Sequence, residues 1–445
     1  MSFSNIMDSN SYSGQDEDPA TEALISARER VLGPSYRLFY ERPVHLVSGE
    51  RSHLFDTDGN RYLDAYNNVA SVGHCHPHVV EAVTRQLSTL NTHTRYLHEG
   101  IVDYSERLLA TMPGAIDQVM YACTGSEAND LALRVAHMYT GATGVIVTSD
   151  AYHGNTAAVT AVSPSLGGDS LGPHVRTVPA PDSYRTRPGD LATDFAAAVS
   201  RAIDELHTAG YGFSCLLVDT IFSSDGIYPD ASVLEPAVKV VRAAGGVLIA
   251  DEVQPGFGRT GEAMWGFTRH RVVPDLVTMG KPMANGIPVA AMAATSAVLA
   301  PFSREVPYFN TFGGNPVSMA AASAVLDVIE DEKLQLHAAE VGAALRSELR
   351  SLALQHVELG DIRGTGLYTG VEIVLDPVSR TPDRAGARRI VNALRERRVL
   401  ISVCGQDGNV LKIRPPLAFS RSDVDWFCTE FEAVLKDIVG PVGAS

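Results

Sequence analysis

Three short stretches of this sequence carry residue types that could do chemistry together. In the first, an apolar run leads through Thr124-Gly125-Ser126 into a helical pattern, and the free amides and hydroxyl at such a helix N-terminus suit a phosphate group. In the second, Asp251 ends the apolar run GGVLIA, where a carboxylate could keep the nitrogen of a pyridine ring protonated. In the third, Lys281 stands between small residues and a proline and offers an amine.

Each stretch also has an ordinary structural explanation. Gly-Ser before a helix is a routine cap, and an acidic pair such as Asp251-Glu252 is common on solvated loops. An isolated loop lysine such as Lys281 is usually exposed to solvent. The occurrence of all three in one chain of 445 residues favours a shared site that binds a phosphorylated ring.

The elements around these residues follow the order of an α/β fold. Short, almost wholly apolar runs are typical of strands buried on both faces of a mostly parallel sheet, and the chain contains VMYACTG, GVIVTSD, SCLLVDT and GVLIADE. Ligands of such sheets lie beyond the carboxyl ends of the strands, where Gly125, Asp150, Asp219 and Asp251 fall. The sequence therefore predicts that these side chains surround one site.

The two ends of the chain differ from this central part. The run HLVSGERSHLFDTDGNRYLDAY predicts a small meander with a hairpin at Asp58-Gly59, and a long helix is expected from about Pro316 to Val341. Alternating helices and strands follow to the end. We expect a disordered tail at 1–22, a segment at 23–75 that packs with the small domain, a large domain at 76–325 and a smaller C-terminal α/β domain at 326–445.

Composition excludes several classes of partner. A formal net charge of -16 argues against nucleic acid and anionic membranes, which select clustered Lys and Arg. The five cysteines are scattered, as in a reducing compartment, and the polar, acidic N-terminus lacks the pattern of a signal peptide. No segment has the apolar length of a membrane span. The expected location is the cytoplasm.

The segments GSEAND, DAYHG, ADEVQPGFGRTG, TMGKPMANG and FNTFGGNP, in this order, resemble the class III family of pyridoxal-phosphate aminotransferases. The resemblance covers nearly everything after about residue 25. It implies a fold type I enzyme, pyridoxal 5'-phosphate (PLP) as the cofactor, and a homodimer whose active sites are shared across the interface.

The resemblance also implies roles for individual residues. Lys281 would form the Schiff base with the cofactor and move protons, and Asp251 would pair with the pyridinium nitrogen. The other residues expected at the cofactor are Gly125 and Ser126 at its phosphate, Thr311 reaching the phosphate across the dimer interface, Tyr152 stacked on the ring, and Val253 and Gln254 around its face and phenolic oxygen. For Tyr152, a place in the apolar core is the ordinary alternative.

Two groups of residues favour structural explanations. The run GHCHPH contains His74, Cys75, His76 and His78, but a second Cys/His pair at metal spacing is absent from the sequence, so we expect no metal. Cys123 lies inside an apolar run and is expected to be a small core residue.

Finer details resemble one subgroup of the family, the ethanolamine-phosphate phospho-lyases and their relatives that act on phosphohydroxylysine. The segments that carry this similarity are NNVASVGHCHP, THTRYLH, YFNTFGGNPVS, GDIRGTGL and RERRVLISVCGQDGNVLKIRPPL. It implies elimination of phosphate from a small phosphorylated amine. An aminotransferase of the alanine:glyoxylate type is the alternative, and a catalytically silent cofactor-binding protein is a third possibility.

The resemblance suggests which residues would bind the substrate. Arg414 occupies the position where many family members bind a carboxylate, and Ser224 stands where several carry a glutamate that neutralises this arginine. An arginine without that glutamate stays available for phosphate. Arg37 is expected to complete a phosphate clamp, unless it is an ordinary surface arginine, and Asn67 and Asn68 are expected to add hydrogen bonds. Arg363 is expected to be structural.

Overall fold

The computed structural model describes residues 5, 8–12, 14, 18–167, 170–187 and 189–439. Its α-helices are α1 Pro19–Leu32, α2 Pro77–Leu87, α3 Glu99–Ala110, α4 Gly125–Thr140, α5 Ala157–Thr160, α6 Leu191–Thr208, α7 Leu234–Ala243, α8 Ser296–Glu305, α9 Pro316–Asp331, α10 Leu334–Ala353, α11 Arg384–Glu396 and α12 Arg421–Val439. None of these helices combines the length and apolar character needed to cross a membrane.

The strands form three sheets. In chain order they are β1 Leu46–Glu50, β2 His53–Asp56, β3 Arg61–Asp64, β4 Gln118–Ala122, β5 Val145–Thr148, β6 Val175–Val178, β7 Cys215–Asp219, β8 Val247–Asp251, β9 Leu276–Met279, β10 Ala290–Ala294, β11 Leu359–Thr365, β12 Tyr368–Asp376, β13 Thr381–Pro382, β14 Val399–Leu400, β15 Ser402–Cys404 and β16 Val410–Ile413.

The central sheet has the order β4-β10-β9-β8-β7-β5-β6. Neighbours from β6 to β9 are parallel, whereas β10 runs antiparallel to both β9 and β4. Strands β5, β7, β8 and β9 are fully apolar and buried, except near their carboxyl ends. The predicted α/β fold with a mostly parallel central sheet is therefore confirmed.

The ends of the chain build the other two sheets. The predicted hairpin at Asp58-Gly59 is present between β2 and β3, and β3 pairs in parallel with β14 from the C-terminal third. An antiparallel sheet of order β11-β12-β16-β15 lies among α10, α11 and α12. The residue boundaries expected for the domains stay predictions, and the expected tail at 1–22 lies partly outside the described residues.

The prediction of a single helix from about Pro316 to Val341 is wrong. Helix α9 ends at Asp331, Lys333 adopts a left-handed conformation with φ 52°, and α10 begins at Leu334. The break redirects the chain, because α9 packs mainly on α2 and α3, whereas α10 packs on β11 and α12. Helical apolar periodicity continues on both sides of the break, so the sequence pattern does not predict the turn between the two helices.

Candidate active site

The residues predicted to surround the cofactor meet at the carboxyl edge of the central sheet. One cavity of about 280 Å³ is lined by Gly125, Ser126, Tyr152, Asp251, Val253, Gln254 and Lys281, together with residues of their loops. Parallel pairing of β8 and β9 aligns Asp251 with Thr278, which brings the loop of Lys281 beside the carboxylate. The sheet therefore gathers residues that are far apart in sequence.

The loop between β4 and α4 forms a cup at the helix N-terminus. A capping box closes it: the Thr124 hydroxyl accepts from the Glu127 amide at 3.2 Å, and the Glu127 carboxylate accepts from the Thr124 amide at 2.9 Å. The amides of Gly125 and Ser126 belong to the first turn, which has no intrahelical acceptors. The Ser126 hydroxyl accepts from the Asn155 amide at 3.1 Å. This cup has the donors that a phosphate needs.

Two glycines let the loops of the site approach each other closely. A Cβ on Gly125 would lie 3.0 Å from a methyl of Val253, and a Cβ on Gly280 would lie 3.3 Å from the Gly125 backbone. Side chains at either position would crowd the contact between the cup and the loop of Lys281. Glycine therefore lets these loops meet without displacing a neighbour.

Asp251 is held rigidly at the floor of the cavity. Its carboxylate accepts from Asn129 Nδ2 at 3.0 Å, from His153 Nδ1 at 2.7 Å and from the Val253 amide at 3.1 Å. Asn129 is fixed in turn, because its Oδ1 accepts from the Thr278 hydroxyl at 2.6 Å. These three donors fix the position of the carboxylate, which would pair with the pyridinium nitrogen of the cofactor.

Lys281 follows β9 in a short 3₁₀ turn and is partly buried at the cavity wall. Burial, together with the positive charge of Arg414, lowers the pKa of its amine to about 8. An amine with this pKa has a far larger neutral fraction near neutral pH than an ordinary lysine, and the neutral form can attack a carbonyl or accept a proton.

Arg414 lines a neighbouring cavity of about 440 Å³ that also opens on Lys281. The buried guanidinium donates to the Gln254 side-chain oxygen and, at 3.0 Å, to the Tyr66 carbonyl. It also lies over the rings of Tyr66 and Tyr368, 4.6 and 6.0 Å from their centroids. In the described part of the chain, no carboxylate pairs with it.

The structure does not bring every predicted substrate residue to these cavities. Asn68 is buried and donates to Gln254 Oε1 at 3.4 Å, and Asn67 lines the cavity of Arg414. Arg37 instead pairs with Asp8 at 2.8 Å on the surface, with about half of its side chain exposed. A surface ion pair of this kind leaves Arg37 out of the cavity. Thr311, expected to act across a dimer interface, is exposed.

The site contains four further residues that were not predicted from the sequence. His153 and Asn129 lie behind Asp251, and Tyr66 and Tyr368 lie around Arg414. His153 follows Tyr152 directly in the DAYHG run, and Asn129 belongs to the GSEAND run, so both stood within segments already identified. Tyr368 directly follows the GDIRGTGL run, but nothing in that run indicates that the next side chain faces Arg414.

The histidines of the GHCHPH run have carboxylate partners on different elements. His74 contacts Asp64 at 2.7 Å, His76 contacts Glu332 at 3.0 Å and His78 contacts Asp327 at 2.9 Å. Across the described residues, no group of three or more His, Cys, Asp or Glu side chains could hold a metal ion. Arg363 is buried in an ion pair with Glu372 at 2.8 Å, as expected for a structural residue.

The cavity fits PLP. The cup offers donors to a phosphate, Asp251 is a buried and well-bonded carboxylate, and Lys281 carries an amine of lowered pKa. The glycines at 125 and 280 keep the loops close without filling the cavity. When bound, PLP supplies an electron sink for a carbon that bears an amine.

The chain is similar to known proteins along most of its length. A family model described as aminotransferase class-III matches residues 40–435. Alanine--glyoxylate aminotransferase 2-like of Drosophila melanogaster is 40% identical over 430 residues, which cover 93% of this chain and 87% of that protein. Ethanolamine-phosphate phospho-lyase homolog 1 of Caenorhabditis elegans is 36% identical over 436 residues, with 93% of each chain covered.

A solved structure of a phospholyase from Arthrobacter in complex with phosphoethanolamine has a TM-score of 0.90 at 43% identity, and the match covers 93% of this chain and 99% of that chain. The family match spans most of the chain and includes each of the predicted cofactor residues. The chain therefore belongs to the class-III aminotransferase family, whose cofactor is pyridoxal 5'-phosphate.

Proposed function

We propose that this enzyme is a lyase that eliminates phosphate and ammonia from O-phosphoethanolamine, or a close phosphorylated amine, and leaves an aldehyde. The observation that carries the proposal is Arg414, a buried cation that shares a cavity with Lys281 and has no carboxylate partner in the described chain. A buried unpaired charge is costly. A phosphate on the substrate would supply the missing negative charge in the geometry that guanidinium groups favour.

Lys281 and Arg414 have different roles in the elimination. Lys281 takes a proton from the carbon that bears the amine, since burial lowers the pKa of its amine to about 8 and so raises the fraction in the neutral, basic form. The bond between the neighbouring carbon and the phosphate oxygen breaks, and its electron pair leaves with the phosphate. Arg414 donates to this leaving group, and the interaction strengthens as negative charge develops. Hydrolysis then releases ammonia and the aldehyde.

Gln254 positions Arg414 for this task. Its side-chain oxygen accepts from Arg414, from the Tyr368 hydroxyl at 3.2 Å and from Asn68 at 3.4 Å. A glutamate near the guanidinium would neutralise it, but by resemblance Ser224 occupies the position where several family members carry one. A neutral amide partner leaves the positive charge of Arg414 available to the substrate.

The likeness to the Arthrobacter phospholyase supports the same activity, because that protein was solved with phosphoethanolamine and is 43% identical to this chain.

We also infer that the enzyme is a homodimer. Thr311 is exposed between Phe309 and Phe312, whose side chains are 48% and 68% exposed, and Tyr96 adds a further exposed ring. Apolar surface of this kind is typical of an interface.

Alanine:glyoxylate aminotransfer is the second candidate, favoured by the 40% identity to the Drosophila protein of that name. The two reactions separate in one assay in which the holoenzyme receives O-phosphoethanolamine without a keto acid, and phosphate and acetaldehyde are followed. A lyase releases both continuously, whereas an aminotransferase stalls after one transfer of the amino group. Steady glycine formation from alanine and glyoxylate, without phosphate release, would favour the aminotransferase.

A further inference from the structure

The cavity of Arg414 is larger and more apolar than a two-carbon substrate requires. It has a volume of about 440 Å³ and begins at Lys281 and Arg414. Beyond these residues its wall is built by apolar side chains of the N-terminal segment and of β14, which we call the apolar annex: Leu38, Phe39, Pro43, Val44, Leu46 and Leu400.

Charge is confined to one end of this cavity. Its charged lining residues in the described chain are Lys281, Arg414 and Asp64. Asp64 is already bonded, since its carboxylate contacts His74 at 2.7 Å and accepts from the Asn67 amide at 2.8 Å. The annex therefore has no charged group to offer a ligand.

The position of the annex indicates what it would hold. Its cavity is continuous with the catalytic lysine, so an occupant of the annex can belong to the molecule whose amine reaches Lys281. O-Phosphoethanolamine would fill the charged end and leave the apolar wall facing water. Burying an apolar chain against that wall is favourable, because it removes apolar surface from water.

We propose that the annex binds an apolar chain on the substrate, so that the enzyme acts on 1-aminoalkan-2-yl phosphates, with the chain on the carbon that bears the phosphate. This inference rests on the proposed lyase function. Lys281 takes the proton from the amine-bearing carbon, the adjacent C–O bond breaks with its electron pair on phosphate, and a proton adds to the former phosphate-bearing carbon. With one water, the products are a longer aldehyde, ammonia and phosphate.

Phosphohydroxylysine has the same connectivity around its amine and phosphate, but its chain ends in an ammonium and a carboxylate. Neither charge finds a partner in the annex, and an unpaired charge against an apolar wall is penalised. 1-Aminohexan-2-yl phosphate has the same six-carbon skeleton with an apolar end. The structure therefore predicts a preference for the apolar compound over phosphohydroxylysine.

The test measures kcat/KM for phosphate release along the series from O-phosphoethanolamine to the propyl, butyl and hexyl phosphates, with phosphohydroxylysine alongside. Each added methylene that is buried should raise kcat/KM about fourfold, which corresponds to about 0.8 kcal/mol. Phosphohydroxylysine should fall below the hexyl compound by at least tenfold.

A matched pair of variants assigns the effect to the annex. Val44→Thr puts a hydroxyl on the annex wall and should reduce kcat/KM for the hexyl compound by about tenfold, because the hydroxyl has to be desolvated. Val47→Thr makes the same change on a side chain of β1 that is 57% exposed and outside the annex. It should leave the whole series unchanged. Leu38→Asn is a second annex variant in case Val44→Thr lowers stability.

The outcomes separate the two proposals. Turnover of O-phosphoethanolamine with kcat/KM flat or falling along the series would overturn the annex and leave the lyase function standing, as would a preference for phosphohydroxylysine. Phosphate release from none of the compounds would overturn the lyase function itself. A rising series that both annex variants leave intact would show that the chain binds elsewhere.

Discussion

The imidazole of His153 lies 2.7 Å from the carboxylate of Asp251, with Nδ1 facing Oδ2, and both side chains are buried. Replacing His153 by Phe removes this donor and leaves Asp251 with Asn129 and the Val253 amide. Hydrogen bonds to charged groups are worth about 1.5–3 kcal/mol. We therefore expect the dissociation constant of PLP to rise roughly tenfold to hundredfold, as measured by fluorescence titration of the apoenzyme.

His78→Phe is the control for this variant, because His78 is exposed, pairs with Asp327 and does not line the cavity. It should retain PLP as the unmodified enzyme does. Unchanged PLP affinity in His153→Phe would mean that the imidazole does not support the carboxylate that faces the cofactor.

The pKa of Lys281 controls how fast the apoenzyme recovers its cofactor. Only the neutral amine attacks the aldehyde of PLP, so the reconstitution rate should rise with pH through about 8, the lowered pKa of Lys281. The charge of Arg414 contributes to that lowering, so Arg414→Met should raise the pKa and shift the midpoint to higher pH. Stopped-flow absorbance across this pH range measures both midpoints.

Arg37→Met removes a surface cation that pairs with Asp8, and it should leave the midpoint in place. An unshifted midpoint in Arg414→Met as well would mean that the two cations are not coupled through the shared cavity.

Gly154 allows the loop of Tyr152 to pack on the phosphate cup. Its φ of 140° is rare for other residues, and an added Cβ would lie 2.8 Å from the Cα of Ser126. Gly154→Ala should therefore push Ser126 out of place, with a loss of roughly 1–3 kcal/mol of stability from backbone strain and a weaker hold on PLP. Thermal unfolding with and without PLP measures both effects.

Gly114→Ala is the matched control, because a Cβ there meets nothing within 4 Å and the φ of Gly114 is not in the left-handed region. If Gly154→Ala bound PLP and unfolded as Gly114→Ala does, the close packing of the loop on the cup would be refuted.

The exposed aromatic surface around Thr311 should be the dimer interface. Phe312→Glu places a charge on a side chain that is 68% exposed in the single chain, and it should shift the mass measured by light scattering from dimer to monomer. PLP retention should fall with it, since Thr311 is expected to reach the cofactor phosphate of the other subunit. Leu354→Glu, at an 87% exposed leucine after α10, should leave the mass unchanged.

Local patterns sufficed for much of the molecule. Buried strands ending in Gly or Asp predicted the sheet and the edge where the cofactor residues meet, because strand ends are fixed by topology. The cup at Gly125, the acid at Asp251 and the lysine at 281 all lie at such ends. Each of these three residues lies in a short segment with a recognisable pattern, so all three could be predicted from the sequence.

Contacts between distant segments were harder to foresee. Arg37 belongs to a segment that does reach the cavity of Arg414, since its neighbours Leu38 and Phe39 line that cavity. The side chain of Arg37 itself pairs with Asp8. The rings of Tyr66 and Tyr368 that face Arg414 adjoin recognisable segments, but their contact with the guanidinium depends on how distant parts of the chain pack. The break at Lys333 depends on how two helices pack against different partners, which apolar periodicity does not encode.

The most direct test counts the phosphate released per subunit from O-phosphoethanolamine when no keto acid is present. We expect many phosphates and equal amounts of acetaldehyde per subunit. Release should be slowed at least a hundredfold in Arg414→Met, as is typical when one stabilising donor is removed from a developing negative charge. Release that stops at or below one phosphate per subunit, or an Arg414→Met variant that works at the normal rate, would contradict this expectation.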